Sequence, residues 1–269
     1  MAGDVLTGNQ TLSSMATRNY PWFTSMISAG KTLTRGLLHL LYPNTCWVCG
    51  QDLGEDQNSF CQACRAVLTT DPHSTCPRCS SSIGPFTNLE DGKCNQCRGV
   101  SFGFDRVLRL GPYEGLLREV ILRLKSWHGE GLAEVVGRLW AGHMEAVLSA
   151  EKPDVVVPVP LHWRKHWQRG YNQSQVLARV LARQLHLPCR PRWLRRIRYT
   201  PQQRSLTPSA RRENVRGAFC AREGLLLEGK TVLLVDDVLT TGSTASEAAR
   251  ALRIARPARI VVAVLAHGP

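Results

Sequence analysis

No apolar run in this chain of 269 residues is longer than Ile260 to Ala266, far short of the roughly 20 residues that a membrane-spanning helix needs. The opening residues lack the basic start and apolar block of a secretory signal. Both absences imply a cytoplasmic protein without a membrane span. Acid is nearly missing from residues 160–219, where Glu213 stands alone among 14 Lys or Arg. That local excess equals the whole formal net charge of +13, because the rest of the chain balances 20 bases against 20 acids. A near-neutral chain with one strongly basic stretch points to a localised polyanion, phosphates or nucleic acid. A solvated face that only keeps the chain soluble is the plainer alternative.

The apolar fraction of 43% excludes wholesale disorder, and the length suits one full domain plus a smaller one. Residues 1–28 are polar and mixed and read as a flexible extension. Over 29–43, Leu33, Leu37, Leu38 and Leu41 share one helical face and Pro43 stops it, which predicts a short amphipathic helix. From about residue 100 to 269, strand-like stretches (FDRVLRLGPY, DVVVPVP, TVLLV, ARIVVAVLA) alternate with helix-like ones, one of them opened by Asn172. That alternation predicts an α/β domain with a mostly parallel sheet.

Between these lies a module over 44–99 that holds eight of the ten cysteines. Cys46, Cys49, Cys61 and Cys64 are spaced C-x2-C-x11-C-x2-C. Cys76, Cys79, Cys94 and Cys97 are spaced C-x2-C-x14-C-x2-C. A CxxC turn aims two sulfurs at one ion, and two turns complete a tetrahedral thiolate site. Two structural zinc ions, grouped in sequence order, are the expectation. An interleaved grouping stays open, and four disulfides are the competing reading, weak in the absence of an export signal. Cys189 and Cys220 have no CxxC partner and read as ordinary small residues.

The stretch VLLVDDVLTTGST (232–244) sets Asp236 and Asp237 at the end of an apolar strand, where ligands bind in open α/β sheets. Thr240, Thr241, Gly242, Ser243 and Thr244 then turn into a helix. Loop amides and a helix N-terminus favour a phosphate monoester. Two carboxylates beside a phosphate make sense when they accept hydrogen bonds from sugar hydroxyls, so a ribose 5-phosphate fits. A Walker-type magnesium site and a dinucleotide fold compete. No phosphate-cradling GxxxxGK[ST] loop accompanies the acids, and no GxGxxG follows a strand.

This segment resembles the phosphoribosyl pyrophosphate motif of type I phosphoribosyltransferases. VVVPVPLHWRKHWQRGYNQSQVLA (155–178) and TPQQRSLTPSARRENVRGAF (200–219) narrow the resemblance to the ComF family of competence-associated and GntX-like proteins. The implied layout is a small N-terminal double zinc ribbon, with four cysteines to each ion, followed by a type I phosphoribosyltransferase-like domain. The resemblance implies that Asp236 and Asp237 contact the ribose and that residues 240–244 cradle the 5-phosphate. Arg164 and Arg169 would face the pyrophosphate with magnesium, with Lys125 reaching the same group. Gln203, Arg211 and Asn214 would lie on a mobile loop over the site, where Ala210 replaces an expected glutamate. Plainer readings remain for Arg164, Arg169 and Lys125 as solvated charges, and for Asn172 and Gln173 as a helix cap and its neighbour. The resemblance further implies DNA uptake in competence, through single-stranded DNA and the competence helicase machinery. An active phosphoribosyltransferase of nucleotide or amine metabolism is the alternative. Trp163, Trp167, Tyr171, Trp193, Tyr199 and Phe219, interleaved with the cations, suit base stacking.

Overall fold

The computed structural model describes residues 44–54, 59–200 and 208–268. The extension expected over 1–28 and the helix expected over 29–43 lie outside them. The cysteine-rich module holds one helix, α1 (Gln62–Thr69), and a short antiparallel pair, β1 (Ser74–Thr75) with β2 (Ser82–Ile83). The cysteine turns supply most of its order, since so few backbone ladders do.

The larger unit is built on four strands: β3 (Arg106–Pro112), β4 (Val155–Pro158), β7 (Thr231–Leu239) and β8 (Arg259–His267). They lie in the order β3-β8-β7-β4 and every neighbouring pair is parallel. Both faces of the sheet are covered, which is why these strands read as near-continuous aliphatic runs. Val156, Leu233, Val235, Val261 and Ala263 face a core shared with α2 (Gly115–Leu124), α3 (Glu130–Ala150) and α5 (Gln173–Gln184). Alternate residues Val155, Val157, Val232, Leu234, Ile260 and Val262 face α7 (Ser243–Arg253). Helix α7 turns Ala245, Ala248, Ala249 and Leu252 inward, a one-face stripe of mostly small residues that lets it lie close on the sheet.

Every strand and helix expected from residue 100 onward is found, with three differences. The strand expected to end at Val235 runs on to Leu239, because β8 keeps pairing with it as far as His267. The turn after Pro160 contains α4 (Trp163–Arg169), capped by the side chain of His162 and ended by left-handed Gly170. The segment expected to be a loop over 200–219 carries α6 (Pro208–Val215), and β6 (Phe219–Ala221) pairs with β5 (Leu194–Arg196). The string GLLLEGKT (224–231) does satisfy the letters of a GxxxxGK[ST] pattern. A phosphate-cradling loop must leave a strand and open a helix, whereas this one leads into β7. Among the described residues, no helix is long and apolar enough to cross a membrane.

Candidate functional site

Strand β4 ends at Pro158, paired with Val235, and the last contact is the Val159 amide donating to the Val235 carbonyl at 2.8 Å. From Asp236 onward β7 has lost that neighbour. The chain leaving β4 continues to α5 on one face, and the chain leaving β7 enters α7 on the other. A crevice opens where connections diverge in this way, and both acids stand in it.

The first turn of α5 receives them. Ser174 Oγ donates to Asp236 Oδ1 at 2.8 Å, and Gln173 Nε2 donates to Asp237 Oδ2 at 3.1 Å. Lys125 Nζ, just past the end of α2, lies 3.1 Å from the same Asp237 oxygen. The Val238 amide donates to Asp237 Oδ1 at 2.8 Å, and the Asp237 amide to Asp236 Oδ1 at 2.9 Å. Asp237 is buried and engaged at both oxygens. Asp236 keeps Oδ2 without a protein partner among the described residues. Burial first, then the neighbouring Asp237 charge, push the Asp236 carboxyl up to about 7, against Ser174, the Asp237 amide and Lys125. The Asp236 oxygen left without a partner, beside a second acid, is the place that a cation or a set of hydroxyl donors would fill.

The turn that follows keeps its donors unused. Among the described residues, none accepts from the backbone N–H of Thr240, Thr241, Gly242, Ser243 or Thr244. Thr241 and Ser243 pair their hydroxyls at 2.7 Å. Gly242 is the N-cap of α7 with φ of 71°, a conformation a side chain would strain. Its face is closed by Phe102, 3.1 Å from where a Cβ would stand. Open amides at the start of an eleven-residue helix attract an anion.

The cations divide. Arg169 Nη1 donates to Gln173 Oε1 at 3.2 Å and so joins the acids through one amide group. Arg164 does not join them. It is exposed and lies over the rings of Trp163 and Tyr199, at 5.3 and 5.4 Å. Two residues that touch the acids, Gln173 and Ser174, carry no site signal in the sequence, and neither do Lys165 and Arg196, which act on the acids by charge without contact among the described residues. Gln173 reads there as a cap's neighbour, and Asn172 is indeed the cap, accepting from the Ser174 amide at 3.1 Å. The usable signal is position, since the first turn after a capped strand-to-helix connection faces the ligand crevice. Lys165 precedes Arg169 by one turn. Burial first, and then Arg196, Arg169 and Lys125, hold its ammonium below the usual lysine range, while Asp237 opposes them. Burial likewise lowers Arg196, against the pull of Asp236. Gln203 and the side chain of Arg211 lie outside the described residues, and Asn214 is in α6, its carbonyl accepting from Arg198 at 3.0 Å.

The eight cysteines gather in sequence order, 46-49-61-64 and 76-79-94-97, each set with its sulfurs within 4.8 Å of one another. Neighbouring sulfurs stand at 3.7 Å (Cys49–Cys61), 3.6 Å (Cys79–Cys94) and 3.8 Å (Cys76–Cys97). A tetrahedron of thiolates about 2.3 Å from an ion has edges of about 3.8 Å, whereas a disulfide needs about 2.05 Å. Both sets fit structural zinc, the interleaved grouping is removed, and four filled positions leave no room for chemistry at the metal.

A family model described as a phosphoribosyl transferase domain matches residues 128–269, and one described as a double zinc ribbon domain matches residues 37–98. The chain is 32% identical over 216 residues to the DNA utilization protein YhgH of Escherichia coli (strain K12), covering 79% of this chain and 92% of the relative. It is 30% identical over 215 residues to Competence protein F of Haemophilus influenzae, covering 77% and 90%. The chain belongs to the ComF family. Against the solved glutamine phosphoribosylpyrophosphate amidotransferase from B. subtilis, complexed with ADP and GMP, this ComF-family chain is 24% identical. The match covers 54% of this chain and 30% of that one with a TM-score of 0.36, too loose to bear on fold or function.

Proposed function

We propose that this protein binds phosphoribosyl pyrophosphate with magnesium in the crevice at the end of β7, and that it also handles single-stranded DNA in the cytoplasm for DNA uptake or utilization. One observation carries the reading. An acid pair with an unused carboxylate oxygen is followed, after Val238 and Leu239, by five backbone amides at a helix N-terminus that no described residue engages. The amides suit the 5-phosphate, Asp236 and Asp237 suit the ribose diol and magnesium, and Lys125, Lys165 and Arg169 suit the pyrophosphate. The names of the two relatives, one a DNA utilization protein and one a competence protein, support the DNA half. So does a basic stretch with more cations than a pyrophosphate can use. Bounds of 44–99 for the ribbon and 100–269 for the transferase-like unit belong to the same proposal.

Calorimetric titration with phosphoribosyl pyrophosphate and magnesium is expected to show one site per chain, lost when Asp236→Asn and Asp237→Asn are combined. Binding of single-stranded DNA is expected to survive that double change and to fall steeply with salt. Absence of ligand heat in the unaltered protein removes the ribose-phosphate reading. The cations that neutralise a pyrophosphate when bound would also stabilise it as a leaving group. Pyrophosphate release with an added base or amine would therefore move the protein to the enzyme reading.

A further inference from the structure

Helix α4 has two unlike surfaces. On the inner side Arg169 reaches Asp237 through Gln173, and Lys165 is half-buried in the field of the same acid and its cations. On the outer side Trp163 and Trp167 stand one turn apart, 64% and 80% exposed, and with His166 they line an open recess of about 490 Å³. Trp127, 61% exposed, lies along the last turn, its ring 3.6 Å from where a Cβ on Gly170 would stand. Tyr199 closes the first turn, 5.2 Å from the His162 ring, with Arg164 shared between it and Trp163. The other three aromatics of the basic stretch are withdrawn: Tyr171 and Phe219 are buried and Trp193 is half-buried under Arg190.

A monomer rarely leaves so much aromatic surface in water around seven residues of helix without using it. From 160 to 212 the chain has no acid at all, so the occupant must bring negative charge and flat apolar faces together. A single-stranded polynucleotide brings both, whereas a duplex hides its base faces. We propose that the outer face of α4, with Trp127 and Tyr199, stacks the bases of a single strand. Because the same short helix offers Lys165 and Arg169 to phosphoribosyl pyrophosphate, the two ligands weaken each other's binding. This deepens the function proposed above and rests on it. The physical cause is shared charge: filling the crevice with an anion removes the positive potential that draws the polynucleotide backbone to the opposite side of the helix.

The test is anisotropy of a labelled oligothymidylate of about 20 nucleotides on the whole zinc-loaded protein, at two salt concentrations. Saturating phosphoribosyl pyrophosphate and magnesium are expected to weaken the oligonucleotide about three- to tenfold. The oligonucleotide weakens the sugar phosphate by the same factor, as linkage requires. Combined Trp163→Ala and Trp167→Ala weaken the oligonucleotide about tenfold or more, with salt slope and sugar-phosphate affinity unchanged. The double Phe variant recovers most of the loss, which separates stacking from folding. Three results each overturn the inference while leaving the ribose-phosphate reading intact: tight oligonucleotide binding by the double Ala variant, equal competition by a duplex, or an oligonucleotide affinity indifferent to the sugar phosphate. A protein that takes the oligonucleotide but never the sugar phosphate overturns the ribose-phosphate reading, and the antagonism with it.

Discussion

The two cysteine centres have the same ligands and opposite settings. In the first, Cys49 is exposed, and Cys46, Cys61 and Cys64 merge into the main core beneath α2 and α3. In the second, all four cysteines are buried and form a small cluster of their own with Ile83, Leu89 and Phe102. Their attachments differ as well. The first is held by Arg123, which donates to the Trp47 carbonyl at 2.7 Å and the Val48 carbonyl at 3.3 Å, two residues before Lys125. The second sits under the turn at 240–244. Arg78 donates to the Cys97 carbonyl at 3.1 Å and lies 5.4 Å over Phe102, which closes the face of Gly242. Ser81 bridges Cys79 Sγ, at 3.1 Å, to His267 Nε2, at 3.4 Å, at the end of β8. Metals that do no chemistry are thus placed to fix the two ends of the proposed ligand, the first centre at the lysine and the second at the phosphate.

The sharpest way to break that comparison is to remove one ligand from each centre. Cys97→Ser strips a fully buried position of the second centre. Zinc content is expected to fall from two to one per chain, and the thermal midpoint by about 8 °C or more. Affinity for phosphoribosyl pyrophosphate should fall at least tenfold, because Phe102 loses its support under Gly242. Cys49→Ser leaves three buried sulfurs and an exposed position that water can fill, so zinc is held more weakly but retained and the midpoint moves by less than half as much. Equal effects in metal analysis and calorimetry would mean that the centres are interchangeable.

A buried ion pair ties the second centre to the sheet and provides the next test. Arg109 Nε and Nη2 donate to Asp71 at 2.8 and 3.1 Å, and Nη2 also to Ser82 Oγ at 2.9 Å. Arg109→Ala leaves Asp71 with one face buried and unpaired and is expected to destabilise by about 3 kcal/mol in denaturant melts. A matched loss of sugar-phosphate affinity would extend the second centre's reach through β3. Unchanged affinity would confine that reach to Phe102.

What can be read from the sequence follows the range of the interactions. Cysteine spacing is local, so both centres and their grouping are legible as the leading expectation. The strands of the parallel sheet are legible because burial on both faces leaves runs of Val, Ile and Leu that nothing else explains. The acid pair and its turn are legible because thirteen consecutive residues carry the whole pattern. Ser174, which reaches Asp236 from α5, and Lys165 and Arg196, whose charges act on the acids, are not, because they stand on elements whose packing sets the approach. Nor is the split among the aromatics. Spacing cannot tell Trp167, in water, from Tyr171, whose hydroxyl donates to the Leu124 carbonyl inside the core. Arg123 is invisible for the same reason, since its partners are backbone carbonyls that carry no signature.

The acid pair lies between the two props and has its own dependence on pH. Its folded state holds the Asp236 carboxyl at about 7 against an ordinary 3.8. A carboxyl raised on folding favours the protonated protein. That stability is complete below about pH 4 and is lost as the pH rises through 7. Asp236→Asn is therefore expected to stabilise the unliganded protein by about 1–2 kcal/mol at pH 8 and by little at pH 5, while abolishing sugar-phosphate binding. Thermal melts at the two pH values check it, and a variant equally stabilised at both would assign the effect to packing.

The smallest effect sharpens the first centre's part. Arg123 is exposed, so its two bonds to the knuckle carbonyls contribute about 1 kcal/mol or less. Arg123→Ala should barely move the thermal midpoint or the zinc content. It should nevertheless weaken phosphoribosyl pyrophosphate a few-fold, because the end of α2 that carries Lys125 then loses its tie to the first centre and keeps its core packing through Ile121 and Leu124 and the Tyr171 hydroxyl at the Leu124 carbonyl. Lys125→Ala combined with Arg123→Ala should weaken the ligand no more than Lys125→Ala alone. Residues that act through one another are non-additive, and simple addition of the two losses in calorimetry would show that the first centre supports the fold without reaching the lysine.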